Sequence, residues 1–198
     1  MAASTGDTKG LSIRADALVD HQVPDYLDQA AVSSLLAPSL PATLAVVEYW
    51  RLADPDYSGD TTANWTGRLV HNPPEDDFLR YYGPGGFSIA FGERVARVSG
   101  ICRWSGFATM RQLQQVHAAA FRSIARALGG TRMVLIPEYD PVNDIAIYDT
   151  GSLDQCIELL QQSWGAPYPI TDIVTDDVEA YYRRELPVWY LETLNHGG

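Results

Sequence analysis

The chain has 198 residues, with 14 Lys or Arg against 25 Asp or Glu, so its formal charge is −11 and its pI about 4.6. Hydrophobic residues make up 46% and charged residues 20%, a globular composition that excludes a mainly disordered chain. The surplus of carboxylates argues against a nucleic-acid binder, which needs clustered cations, and against docking on anionic lipid.

A chain of this length buries a core large enough to fold without metal or disulfide. Residues 1–11 are small and polar and read as a disordered tail; residues 12–198 read as a single α+β domain. The start MAASTGDTKG has neither the basic nor the apolar region of a secretion signal. Cys102 and Cys156 are too few and too far apart for a disulfide framework. No uninterrupted apolar run reaches the roughly 18 residues of a spanning helix. The expected compartment is the cytoplasm.

Along the chain, Asp25–Ala37 reads as a helix stopped by Pro38, and a second helix starts after Ser39 and runs to about Leu52. The stretch from Ala53 to Tyr82 is loop-rich, with one strand at Trp65–Val70, and Tyr81 to Gly86 reads as a turn cluster. Two strands follow at Phe87–Phe91 and Arg94–Trp104 around a tight turn at Gly92-Glu93, with Gly100 as a candidate bulge. Met110–Leu128 is the best-patterned helix: Leu113, Val116, His117, Ala120, Phe121 and Ile124 trace one face. Thr109 with Gln112 suggests a capping box, and Gly129-Gly130 ends the helix. Strands are then expected at Met133–Ile136 and Asp144–Tyr148, followed by a helix from Ser152, capped with Gln155 and stopped at Gly165. TDDVEAYYRREL reads as a short helix and Val188–Leu191 as a last strand.

The order from Phe87 to Trp164 is thus strand, strand, helix, twice over. The expected fold is α+β: an antiparallel sheet built from two ββα units, about 87–104/109–128 and 131–149/152–164. Its helices would gather on one face, beside an N-terminal helical pair.

Few residues suggest chemistry. His117 and Cys102 are the one Cys/His combination suited to nucleophilic catalysis, but His117 lies on an apolar helix face, where a core histidine is the simpler reading. Cys102 and Cys156 read as small hydrophobes. Asp54 to Asp60 has the first half of a calcium loop, but Trp65 stands where the bidentate Glu belongs. The four histidines have no paired spacing, so no zinc motif is formed. No motif asks for a cofactor. Glu138, Asp140, Asp144 and Asp149 gather around one expected hairpin and form an acidic edge suited to a cationic partner. Tyr57, Tyr139 and Tyr168 fall in expected loops and are the tyrosines suited to an interface.

An acidic chain of this size with the run SLDQCIELLQQSWGAP after a strand pair resembles, over residues 87–168, the immunity proteins of bacterial polymorphic toxin systems. The resemblance lies in composition and layout. It implies a non-enzymatic protein that binds a cognate, basic toxin and blocks it. Three functions are therefore carried forward. The first is a protein binder using Glu138, Tyr139, Asp140, Asp144, Asp149, Tyr57 and Tyr168. The second is a small-molecule-binding domain with a pocket lined by aromatics such as Trp104, Phe121 and Tyr148. The third is an enzyme using His117 or Cys102.

Overall fold

A strand that sequence pattern passes over runs through the middle of the protein. The computed structural model describes residues 14–54, 56–57, 62–70, 78–169 and 188–194. β1 (Arg14–Asp20) pairs antiparallel with β5 (Val95–Arg103) on one side and with β6 (Arg132–Pro137) on the other. Residues Ala15 to Val19 are all buried, because both faces of this strand are covered. The remaining strands are β2 (Thr66–Val70), β3 (Phe78–Tyr82), β4 (Ser88–Phe91) and β7 (Tyr190–Thr193). The sheet order is β2-β3-β4-β5-β1-β6-β7, and every neighbouring pair is antiparallel. The class is α+β, as the alternation of hairpins and helices implies.

The helices do not gather on one face. One face of the sheet, with Ala17, Tyr81, Ile89 and Val98, packs against α1 (Gln29–Leu36), α2 (Leu40–Ala53), α3 (Trp104–Thr109) and α4 (Arg111–Ala127). The other face, with Leu18, Val95, Val134 and Ile136, packs against α5 (Asp140–Asn143), a π turn (Asp144–Tyr148) and α6 (Leu153–Trp164). β6 is apolar at odd and even positions alike, and β1 sets Leu18 on one side against Ala15, Ala17 and Val19 on the other, so both sides of the central sheet must be kept from water.

The first ββα unit forms as expected from β4, β5 and α4. The second does not. Asp144–Tyr148, read as a strand, is helical, with the Asp149 N–H bonded to the Asp144 carbonyl at 2.9 Å. Both edges of β6 are already taken, by β1 and β7, so a hairpin partner from this segment has no edge to join. Val142 and Ala146, four residues apart, instead bury a helical face on the sheet. β3 likewise extends into what reads as loop and turn, while the turn itself is confined to Pro84–Gly86.

Local signals fared unevenly. The Ser152 hydroxyl accepts from the Gln155 N–H, and the Gln155 side chain accepts from the Ser152 N–H, so that capping box is made. The Thr109–Gln112 box is not: Thr109 is the last residue of α3, its hydroxyl donates to the Ser105 carbonyl at 2.7 Å, and α4 starts after Met110 without a side-chain cap. Gly100 does lie in the register shift between β1 and β5. Gln29–Ala53, a helical stretch interrupted by a 3-10 turn at Ala37–Ser39, has 25 residues of mean hydropathy 1.7. By length and composition it matches a membrane span, contrary to the reading of its apolar runs, and it presses Val32, Leu36 and Val46 into the core. The expected tail and the TDDVEAYYRREL helix lie outside the described residues. The last strand starts at Tyr190, two residues later than expected, with Val188 and Trp189 buried ahead of it.

Candidate functional site

His117 sits on α4, where the helical period turns it into the core with Leu113 and Phe121. It is fully buried, with Nδ1 3.0 Å from the Leu113 carbonyl, the geometry of an Nδ1–H donor four residues along the helix. Trp50 and Phe87 flank its ring, with centroids 6.2 and 6.0 Å away. Burial depresses its pKa to about 4, so the imidazole is neutral at physiological pH. Cys102 is buried in β5, and burial pushes its thiol up to about 12, away from the nucleophilic thiolate. Neither side chain is placed to meet a substrate from solvent. Cys156, also buried, has its thiol pushed up to about 11.

Two of the aromatics expected to line a pocket are found in the core. Trp104 and Phe121 are core residues, linked through Phe107: Trp104 stacks on Phe107 with centroids 5.4 Å apart, and Phe107 meets Phe121 at 6.4 Å. The side chain of Tyr148 lies outside the description. A groove of about 510 Å³ lies instead between α2 and α4, lined by Ala45, Tyr49, Leu52 and Val116 among others.

The seven residues suited to partner binding are only partly brought together. Glu138, Tyr139, Asp144 and Asp149 share the segment that leads from β6 through α5 to α6, on one face of the sheet. Asp144 and Asp149 are exposed. Tyr139 is half-buried, its ring 4.4 Å from that of Trp164 at the end of α6. Asp140 starts α5, and its side chain is not described. Tyr168 is 39% exposed and continues the sheet beyond β7, its N–H donating to the Trp189 carbonyl at 2.9 Å. Tyr57 stands apart: it packs beside Trp50 of α2, on the opposite side of the sheet. The hairpin that was to hold the four acids is the helical layer described above.

Glu138 is engaged in a contact invisible in the sequence. Arg97 of β5 donates to it at 2.9 Å and also to the fully buried Asp16 of β1, through Nε at 2.9 Å and through Nη2 at 2.8 Å. Burial, partly offset by the Arg97 guanidinium, raises the Asp16 carboxyl to about 6. The available signal for Asp16 was a carboxylate between the two alanines of RADALVD, at a position that only a central strand makes interior.

Charge is sorted along the chain and between the layers. Residues 94–137 carry Arg94, Arg97, Arg103, Arg111, Arg122, Arg126 and Arg132 and no carboxylate side chain. Residues 138–164 carry Glu138, Asp140, Asp144, Asp149, Asp154 and Glu158 and no Lys or Arg. On α6 the buried stripe Leu153, Cys156, Ile157 and Leu160 turns Asp154 and Glu158 to solvent, where Asp154 meets Arg132 at 2.7 Å. The helical layer from 138 to 164 is therefore an acidic surface, whereas α4, on the other face, exposes Arg111 and Arg126. Among the described residues no group of three or more His, Cys, Asp and Glu is placed to hold a metal ion.

No protein-family model, curated protein or solved structure matches the chain.

Proposed function

We propose that the protein is a binding module that engages a basic protein partner through the acidic helical layer between Glu138 and Trp164. The observation that carries this reading is the sorting of charge: this layer has six carboxylate residues and no cation of its own. Its apolar side chains are spent on the sheet, leaving Asp144, Asp149 and Glu158 exposed without an ion pair among the described residues. Such a surface raises the rate of encounter with a positively charged protein and repels acidic ones. Tyr139, backed by Trp164, supplies an aromatic group at the margin of the same layer. The sealed positions of His117 and Cys102 take support away from an enzyme built on those two side chains. The finer form of the proposal is inhibitory, of the immunity type, in which the bound partner is a toxin whose active site is covered.

The test starts from capture of a partner with the purified chain and calorimetry of the pair at low and high salt. One-to-one binding that weakens as salt rises is expected, with a loss of tenfold or more on reversing Asp144, Asp149 and Glu158 to Lys. Binding indifferent to that triple reversal would overturn the assignment of the surface. The inhibitory form requires, in addition, that the partner's own activity falls to zero at equimolar protein.

A further inference from the structure

The stretch from Gln29 to Val47 is the longest in the chain without a charged side chain. It forms α1, the 3-10 turn and the first half of α2, and the helical stretch of which it is part has a mean hydropathy of 1.7. A helix apolar all round belongs in a core, yet only 33% of the most apolar part of this one is buried. Val32, Leu36, Val46 and Val47 are turned inward. The outward side presents Leu35 of α1 and Leu44 and Leu52 of α2 to solvent, with Leu52 at 85% of full exposure. The groove of about 510 Å³ between α2 and α4 opens along the same outward side, where Ala45, Leu52 and Ala53 are all exposed and all line it.

Single exposed leucines are ordinary, but a contiguous apolar face marks a contact surface. Charge selects its occupant. With a net charge of −11, two copies of the chain repel each other over most of their surfaces. On this face they do not. There is no charge from Gln29 to Val47, and the only charged residues of α2, Glu48 and Arg51, pair with each other at 2.6 Å. A bilayer fits less well. Helices that lie on lipid carry Lys or Arg along their polar margins, whereas this stretch is bounded by exposed Asp25 and Asp28 at one end and by exposed Asp54 and Asp56 at the other, which anionic headgroups repel. A basic protein would find no run of carboxylates here to meet.

We infer that the protein associates with a second copy of itself through the outer face of α1 and α2, as a two-fold pair. A two-fold contact uses the same patch on both copies, so the patch must offer a projection and a recess together. This one does. Leu52 projects, and the groove at its side, lined by Tyr49 of α2 and Val116 of α4, receives. Ala45 and Ala53 keep the groove shallow enough for the two α2 helices to lie antiparallel in contact. The 25 residues of the helical stretch are about 37 Å long, and α4 widens the face to about 20 Å beside α2, an area near the roughly 800 Å² that each partner gives to a standard interface. The acidic layer lies on the opposite face of the sheet, so the pair leaves both acidic layers open, and this inference does not rest on their role.

The test is sedimentation equilibrium of the whole chain from about 1 to 200 μM, at low and at high salt. A monomer–dimer equilibrium is expected that tightens as salt rises, because salt screens the repulsion between the copies and leaves the apolar contact. That sign is opposite to the one expected for binding through the acidic layer. Leu44→Lys with Leu52→Lys should weaken the pair by about a hundredfold or more, since the two-fold axis counts each change twice. Lysine lowers the net charge of each copy, so the loss cannot come from added repulsion between the whole chains. Leu69→Lys, at a leucine on β2 that is just as exposed but outside this face, should leave the dimer intact. Leu52→Gln adds no charge at an exposed position and should weaken the pair by about tenfold, with thermal melting of the dilute protein unchanged. A chain that is monomeric throughout the range overturns the inference, and so does a dimer that survives the double substitution or loosens as salt rises. Flotation of a monomeric chain with neutral phosphatidylcholine vesicles, lost in the double variant, would overturn it in favour of lipid.

Discussion

Arg97 grips Asp16 across β5 and β1 with two nitrogens on the same oxygen, 2.9 Å from Nε and 2.8 Å from Nη2, in a place where the carboxylate has no exposure at all. The pair ties the middle of the sheet to Glu138, where the acidic layer begins. Asp16 and His117 are two separate buried ionisable groups whose effects on stability run in opposite directions with pH.

Asp16 titrates near 6 in the fold against about 3.8 in the open chain. The folded state therefore holds its proton more tightly. The stabilisation is full below pH 3.8 and is lost as pH rises to 6. The loss comes to about 3 kcal/mol, since each tenfold change in proton affinity is worth about 1.4 kcal/mol. Asp16→Asn removes this dependence. Denaturant titrations at pH 4 and pH 7 should show the variant gaining on the wild type as pH rises. A constant difference between the two proteins would mean that Arg97 holds Asp16 ionised throughout.

His117 works the other way. Its folded pKa of about 4 lies below the ordinary 6.5 because burial penalises the imidazolium. Stability from this group is full above pH 6.5 and is lost as pH falls to 4, again by about 3 kcal/mol. His117→Leu should flatten the acid side of the stability profile between pH 6.5 and 4. NMR titration of the ring should show no protonation at pH 5.5.

Gly92 closes the turn between β4 and β5 directly under the π turn of the opposite layer. A Cβ there would lie far inside contact distance of the Ala146 carbonyl oxygen, which is backbone and has no rotamer to escape through. Gly92→Ala should therefore separate the helical layer from the sheet and cost about 2 kcal/mol or more. Tryptophan emission from Trp164 and Trp189, together with the melting temperature, reads the change. A variant as stable as the wild type would show that the π turn lifts off at little cost.

The two expected capping boxes give a matched pair of variants. Ser152→Ala removes a cap that is made and should cost about 1 kcal/mol. Thr109→Ala removes only a bond back to Ser105 and should cost clearly less. Equal losses in thermal melts would place the start of α4 at Thr109 after all.

Much of the local structure is legible from residue order alone. The helices at 29–36, 40–53, 111–127 and 153–164 follow from apolar spacing and from Ser152, Gly129 and Gly165. The β4–β5 hairpin follows from two apolar runs about Gly92-Glu93. The acidity of 138–164 and the seclusion of His117 were readable as well, since both depend on the side chain's own segment. The strand β1 was not, because RADALVD has weak strand propensity and only its neighbours on both edges make it a strand. Nor was the helical form of 144–148. An apolar run of four residues, Ile145 to Tyr148, fits a strand or a buried turn equally well, and the choice fell to whether β6 still had an open edge. The polar row Thr66, Tyr82, Ser88, Ser99 and Asp16, neighbours across β2, β3, β4, β5 and β1, belongs to the same category. Its members are scattered between positions 16 and 99, and cross-strand register, a property of the assembled sheet, is what sets them side by side. Short-range pattern determined which segments could bury a face; the occupancy of strand edges, which is a long-range competition, decided how those faces were arranged and which polar groups met.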